Sequence, residues 1–557
     1  VRRAAAAARE LLAAASARAG KQYTYADLAR SPELAAAYKQ SLPAGTPLIA
    51  ARDWRTLGKS HVRMDAREIV TGAHRFPSDI TRPGMLYGRV LRPPSYGATL
   101  VNADLSAARK MPGVVAVRDG DFAACAAPTT FAARKALEAI AAASQWKTAE
   151  QPSSDTLFEH LKRHAKPRAQ SPHPVEAAIK DAQRRFQAEY RVAYVQHAPM
   201  EPRAAVAEWQ DGRLTVWTGT SNPFSVRQAL ADAFRVAPEN VRVMAPHFGG
   251  GFGGKHTGEA AIEAARLAKE AGRPVAVQWT RAEEFAWAYF RPAALIEIEA
   301  GLDASGSISA WDFTNYNSGA SALNAPYRIA NARARFVASD SPLRQGSYRC
   351  LAATANNFAR EAFMDELAAA GGKDPLEFRL LHLENDRLRN VLAAAAGRFG
   401  WTERRKRPRK PGMGIGIACG TEKNSVVAAC CEIELDGRSG VPKVTEVVEA
   451  FECGAIVNPA NLRCQVEGCI VMGLGPALRE EILFRGGRVT NGRFASYRVP
   501  RFRDIPKLEI VLLDRKDQEP VGAGETPIIA IAPAIANAVF DATGKPVRTM
   551  PIRAPRG

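Results

Sequence analysis

Residues 246–255, PHFGGGFGGK, limit most sharply what this chain can become, because positions 249–254 hold five glycines and one phenylalanine. Each ordered glycine loses more chain entropy than alanine, so five together need a local reason, such as positive φ or close approach of the main chain to another group. Residues 240–245, NVRVMA, alternate as a strand does, and residues 259–272, EAAIEAARLAKEAG, read as an amphipathic helix. The loop therefore joins a strand to a helix and predicts a site lined by backbone. Gly249, Gly251 and Gly254 satisfy GxGxxG, while Gly249, Gly254 and Lys255 satisfy GxxxxGK. Neither phosphate motif is supported by its context. Lys255 is followed by His256 where a phosphate loop needs Ser or Thr, and the unit follows β-hairpins instead of opening a βαβαβ run, although Glu283 or Glu284 stands where a ribose-binding acid belongs.

The chain has 557 residues, enough for several cores. Its 76 basic and 57 acidic residues give a net charge of +19, which suits an anionic partner, substrate or surface. Arginine is spread along the chain, with one dense run at residues 404–410, RRKRPRK, ahead of Pro411, read as a linker. No zinc-finger, RNA-binding or helix-turn-helix pattern accompanies the charge, so no nucleic-acid partner is expected. The eight cysteines lack the close, even spacing of a small disulfide scaffold and read as buried thiols. Cys464 and Cys469 match the first step of the ferredoxin C-x4-C-x2-C run, but the third cysteine is missing, so an iron-sulfur cluster is expected elsewhere than on this chain. The longest apolar run, residues 528–540, contains Pro533 and Asn537 and is too short to span a bilayer. The sequence opens at Val1 in an Ala-rich helical pattern with no visible targeting segment, which suggests a longer natural N-terminus and leaves periplasm, with inner-membrane association, and cytoplasm both open.

In chain order, residues 1–19 predict a helix ended by Gly20, the tail of a larger N-terminal unit over residues 1–56. Short strands and the helix at 131–142 make residues 57–149 a small α+β domain. Residues 150–177, polar and rich in Pro, Ser and Gln, read as a linker. Residues 178–403 form a second domain, with an Asp211-Gly212 hairpin, helices at 225–234 and 356–369, and the glycine loop. Residues 404–557 form another, with GMGIG at 412–416, long strands, and a glycine-rich turn leading to a helix after Pro533. That turn, GAGETP, carries Glu525 with no adjacent cation and an apolar stretch behind it. Burial in such a turn raises a carboxyl's pKa and suits it to general-base work, whereas a bland alternative is an acid complementing the dipole of the following helix.

Taken together, HFGGGFGGK at 247–255, QVEGCIVMGLG at 465–475 and VGAGETPIIAIAPAIANAVFDATGK at 521–545 resemble the molybdopterin-binding large subunit of the xanthine oxidase family. Three more stretches match in the same order: VTGAHRFPSDITRPGMLYGRVLRPP at 70–94, VQHAPMEPRAAVAEW at 195–209 and LRQGSYRCLAATANNFAREAFMDELA at 343–368. The similarity is greatest to the isoquinoline oxidoreductase and aldehyde dehydrogenase-like branch and covers residues 57–551. It implies an α+β fold in which an α/β hammerhead domain (57–149) precedes two large molybdenum-cofactor-binding domains (178–403 and 404–557), with residues 1–56 a remnant of an N-terminal cofactor-domain segment. It further implies oxidation of an N-heteroaromatic or aldehyde with water as the oxygen source. Electrons would leave through 2Fe-2S clusters on a small ferredoxin-like partner subunit, with a cytochrome c as a further acceptor.

By the same resemblance the cofactor is molybdopterin in its cytosine dinucleotide form, with molybdenum held by the pterin dithiolene and by no protein ligand. Glu525 matches the catalytic base and Arg349 the arginine near the metal. Gly250, Gly251, Phe252, Gly253 and Gly524 match loops against the cofactor, and Gln465 matches a pterin-contacting amide. Two departures stand out. Residues 220–222 read TSN where the family has TQN, so Ser221 replaces a glutamine, and no GQG pterin loop occurs anywhere. A further chain supplying that loop, or a non-catalytic scaffold lacking a full pterin site, are the readings this leaves.

Overall fold

Three sheets organise the chain in the computed structural model, which describes residues 2–18, 26, 30, 45–166, 172–435 and 440–554. Two compact units divide it. One joins Val1–His61, Gly454–Ala460 and Asp514–Pro520, and the other holds Val62–Cys453, Asn461–Leu513 and Val521–Gly557. In the first, the expected helix forms as Arg2–Arg18, with Ala7 and Leu12 buried and the Arg2 guanidinium 5.0 Å from the Trp54 ring. Most of residues 19–44 lie outside the described residues, so the remnant expected over 1–56 is seen only in part.

The second unit contains the seven-stranded sheet, in the order Val241–Met244, Arg213–Thr218, Ala204–Gln210, Val275–Gln278, Leu86–Val90, Phe122–Ala127 and Val115–Asp119. The Asp211-Gly212 hairpin forms as read, with φ of +49° and +74° and Gln210 opposite Arg213, the two positive angles a tight primed turn needs. Leu86–Val90 runs parallel to Val275–Gln278, Leu86 opposite Val275, so strands from the 57–149 stretch and from beyond residue 200 share one sheet. Pairing of that kind is invisible to local periodicity. Helix Glu259–Ala271 covers the sheet with Ala260, Ala264, Leu267 and Ala268 and stops at Gly272, whose φ is +58°.

A six-stranded sheet runs Thr549–Met550, Arg184–Val192, Ala294–Leu302, Ile308–Tyr316, Asn331–Ser339 and Ala165–Lys166. The stretch read as a linker, 150–177, contributes its edge strand and a helix, Leu157–Arg163, whose Leu157 and Leu161 are buried one turn apart. The basic run 404–410 is likewise no free linker. Arg404 bonds Glu432 and Glu446 (3.2 and 2.8 Å), while Arg405 and Arg409 meet Asp541 at 2.5 and 3.0 Å. Acids distant in sequence account for those charges.

The four-stranded sheet Met413–Glu422, Ser425–Leu435, Pro442–Glu452 and Lys507–Leu512 packs on helix Ile531–Thr543. That helix begins two residues before Pro533, and a 3-10 turn, Thr526–Ala530, precedes it. The GMGIG pattern is explained by this contact. A Cβ on Gly414 would lie 2.0 Å from Ala538 O, and one on Gly416 2.0 Å from Ala534 O, so strand and helix touch backbone to backbone. Gly416→Ala is therefore expected to destabilise the unit by about 3 kcal/mol, the upper range for overpacking, read as a lower urea midpoint at unchanged slope.

Candidate active site

Five segments of the second unit, four loops or turns and one helix, converge on a cavity of about 1050 Å³ lined by Phe252, Gly253, His256, Tyr348, Arg349, Leu351, Lys423, Asn424, Cys464, Gln465, Gly522, Gly524 and Glu525. The glycine loop forms its first wall. Gly250 and Gly253 take φ of +91° and +96°, and between them Phe252 is itself left-handed at +52° with its ring 43% exposed. The loop's other glycines face protein. A Cβ on Gly249 would come 2.5 Å from Glu201 Cβ, on Gly251 2.9 Å from the Phe248 ring, and on Gly254 2.7 Å from His197. Five glycines are needed because the loop is wedged into its own domain.

Glu201 and Lys255 do the wedging. Lys255 is 2% exposed, its Nζ donating to Glu201 O (2.7 Å) and lying 3.5 Å from Glu201 Oε2, which also accepts from Gly249 N at 2.7 Å. Ser78 donates from N and Oγ to the other oxygen (3.2 and 2.9 Å). Burial pushes the Lys255 ammonium down, and Glu201 opposes the shift. Beside this pair, Arg203 is buried against Glu284 and donates to Gly254 O, and Tyr289 donates to Gly253 O. A lysine so engaged is no phosphate ligand, which closes the phosphate-loop reading.

The second wall is the turn at residues 347–351. Cys350 and Leu351 have φ of +70° and +52°, a left-handed pair without glycine, strained backbone of the kind that persists where surroundings over-determine it. This turn aims two successive N–H groups in different directions: Arg349 N donates to Phe252 O (2.9 Å), and Cys350 N donates to Glu525 Oε2 (2.8 Å). The Arg349 side chain crosses to the third wall, with Nε on Gly524 O (2.9 Å) and Nη2 on Gln465 Oε1 (2.9 Å).

Glu525 is half-buried, not enclosed as its apolar neighbours suggested, because the following Thr526–Ala530 turn takes the apolar residues into the core and leaves the acid at the cavity. Its Oε1 receives no hydrogen bond among the described residues. Gln465 projects from helix Pro459–Leu478 and is exposed. Gly524 has nothing within 4 Å where a Cβ would stand, an open cradle on the cavity side. Of the residues singled out by sequence, the cavity thus gathers Phe252, Gly253, Arg349, Gln465, Gly524 and Glu525. Gly250, Gly251 and Ser221 lie off its lining, and Ser221 N donates to Lys255 O (3.1 Å) behind the loop.

Sequence reasoning missed three contributors. The Cys350 N–H is a backbone group whose role depends on a left-handed residue that no motif marks. Lys423 and Asn424 enter from a hairpin tip that reads as an ordinary turn. Glu449 is fully buried with neither carboxyl oxygen bonded among the described residues, and burial pushes it far above the usual carboxyl range against the pull of the Arg349 guanidinium. Its place in a strand reading VVEAFE gave no sign of this buried acid. A second cavity, about 730 Å³, lies on the six-stranded sheet, and several of its polar groups pair with one another: Arg335 with Asp312 (2.9 Å), Tyr316 with Glu297 (2.9 Å) and Lys162 with Glu297.

A large cavity walled by backbone, with an amide, a guanidinium and an open glycine cradle on one side and an acid beside them, defines a binder of a bulky organic cofactor with polar ring edges. Models of the molybdopterin cofactor-binding domain match residues 159–383 and 421–506. The chain belongs to the xanthine oxidase family, through its molybdopterin cofactor-binding domains. It is 30% identical to a nicotinate dehydrogenase subunit from Pseudomonas putida over 92% of its own length, and it spans about half (47%) of that relative. The beta subunit of isoquinoline 1-oxidoreductase from Brevundimonas diminuta is 27% identical over 90% of this chain and 68% of the relative. Quinoline 2-oxidoreductase from Pseudomonas putida 86 has the same fold, with a TM-score of 0.81 at 16% identity, covering 90% of this chain and 98% of that one.

The wedge under the glycine loop predicts that Glu201→Ala, which strips a buried lysine of its counter-charge and Gly249 N of its acceptor, lowers stability by about 3 kcal/mol. Urea unfolding measures it, and Glu201→Gln, still able to accept, is expected to lose less.

Proposed function

We propose that this chain is the catalytic large subunit of a molybdenum hydroxylase that oxidises an N-heteroaromatic compound or an aldehyde, with water as the oxygen source. The observation that carries the reading is Glu525: one carboxylate oxygen is pinned by Cys350 N–H at 2.8 Å while the other is left without a donor among the described residues, in the cavity beside Arg349. A general base needs such an arrangement, because a pinned carboxylate keeps its direction and an unbonded oxygen can take a proton. Its similarity to a nicotinate dehydrogenase and an isoquinoline oxidoreductase supports the substrate class.

When bound, the molybdenum-pterin group supplies a two-electron acceptor. The donor set fits it: Gln465 and the Arg349 guanidinium offer hydrogen bonds to a polar ring edge, and Gly524 leaves room for a ring to approach. Phe252, exposed at the loop tip, offers an apolar ring to the cavity wall. Glu525 Oε1 takes the proton released as the new carbon–oxygen bond forms. Arg349, tied to Gly524 O and Gln465, keeps a fixed positive charge where negative charge develops. The cofactor we propose is the cytosine dinucleotide form, and the partners are a small subunit with 2Fe-2S clusters that takes the electrons, a cytochrome c beyond it, and a chain completing the pterin site. The convergence of Glu525, Arg349 and Gln465 on one cavity favours an enzyme over a non-catalytic scaffold.

Glu525→Gln in the purified complex is expected to retain molybdenum at the wild-type ratio, measured by elemental analysis, while kcat falls by about 10² to 10⁴. A fully loaded variant that turns over at the wild-type rate would remove Glu525 from the mechanism. A wild-type complex from molybdenum-replete cells that carries no molybdenum would remove the reading itself.

A further inference from the structure

The cavity wall holds one feature with no role so far, the tip of the hairpin joining Met413–Glu422 to Ser425–Leu435. Glu422 stands opposite Ser425, so Lys423 and Asn424 are the whole turn, with φ of +52° and +61°. Two positive angles make a tight primed turn, where Asn-Gly is the favoured pair and a lysine is crowded by its own Cβ. The opposite loop is cut to receive that lysine. A Cβ on Gly522 would come 2.5 Å from Lys423 Cβ, and Gly522 N donates to Lys423 O at 3.2 Å. Gly522 is three residues before Glu525, so the lysine is seated on the loop that carries the acid.

Charge gives the seat a purpose. Arg349 already has Gly524 O and Gln465 as acceptors, whereas the exposed Lys423 ammonium has one ion-pair partner among the described residues, Glu422, at 3.7 Å, too far for a direct hydrogen bond. Burial pushes the Glu422 carboxyl up, against the influence of Lys423, which weakens it as a counter-ion. The Asn424 amide lies beside Lys423 on the same wall. Glu525 repels an anion and Lys423 attracts one, so a ring with a carboxylate is oriented with its charge at the hairpin tip and its uncharged edge at the acid.

We propose that Lys423, with Asn424, receives a carboxylate on the substrate, making this protein selective for aromatic carboxylates over neutral rings of the same shape. The proposal rests on the molybdenum hydroxylase reading and deepens it. The other anion that could reach Lys423 is a phosphate of the cofactor, and the test separates the two.

The purified complex is compared as wild type, Lys423→Ala and Lys423→Arg, using pyridine-3-carboxylate and pyridine-3-carboxamide as a matched pair. In Lys423→Ala the KM for the carboxylate is expected to rise about tenfold more than that for the carboxamide, with Lys423→Arg recovering most of the difference, and molybdenum and organic phosphate content staying at wild-type levels. Equal effects on both compounds overturn the proposal. A fall in molybdenum and phosphate content with unaltered carboxylate preference also overturns it, and assigns the lysine to the cofactor. If a fully loaded wild type turns over neither compound, the functional reading fails separately and calorimetric binding of pyridine-3-carboxylate decides the lysine's role. Binding that weakens in Lys423→Ala supports it, and binding that is unchanged, or absent from the wild type, overturns it.

Discussion

Two successive backbone N–H groups hold the site together. Arg349 N bonds Phe252 O at 2.9 Å and Cys350 N bonds Glu525 Oε2 at 2.8 Å, so one peptide step ties the glycine loop to the loop that carries the acid. The chain turns sharply just after these donors, through a left-handed Cys350-Leu351 pair. Such a turn is unfavourable alone and persists where its surroundings, here acceptors for both donors, over-determine it. The helix Ala353–Ala370 starts two residues later and fixes the turn from behind.

Rigidity in this arrangement comes from ion pairs that never reach the cavity. Glu201, Lys255, Arg203 and Glu284 lie under the glycine loop and bond its main chain at Gly249 N and Gly254 O. A buried pair of this kind adds little net stability over an apolar filling, but the penalty for leaving one member alone is large, so it specifies a single loop conformation. The glycines belong to that logic. Sequence alone suggests space cleared for a ligand, whereas most of the loop's missing Cβ atoms make room for Glu201, Phe248 and His197. A glycine run says that something comes close, without saying what.

Local patterns were legible wherever local physics decides the outcome. The helices at Arg2–Arg18, Thr130–Ala142, Glu259–Ala271 and Ala353–Ala370 and the Asp211-Gly212 turn all follow from periodicity and turn chemistry. What escaped was set by distant partners. The run 404–410 looks like a solvated linker until Glu432, Glu446 and Asp541 arrive from elsewhere, and the parallel pairing of Leu86–Val90 with Val275–Gln278 joins stretches that composition separates. Six of the site residues read from motifs line the cavity, but Gly250, Gly251 and Ser221 sit behind its wall, since a motif marks a segment and not the direction each residue faces.

The site's electrostatics divide the work among groups that a formula would count as equal charges. Arg349 has fixed acceptors at Gly524 O and Gln465, so its position is set before any ligand arrives. Glu525 has one oxygen committed and one open, which gives it direction and a place for a proton. Glu449, buried and without a hydrogen-bond partner among the described residues, has its carboxyl pushed well above the usual range by burial, against the pull of the Arg349 guanidinium. In the reaction we propose, the separation of a fixed cation, Arg349, from an open base, Glu525, lets one cavity steady negative charge and accept a proton together.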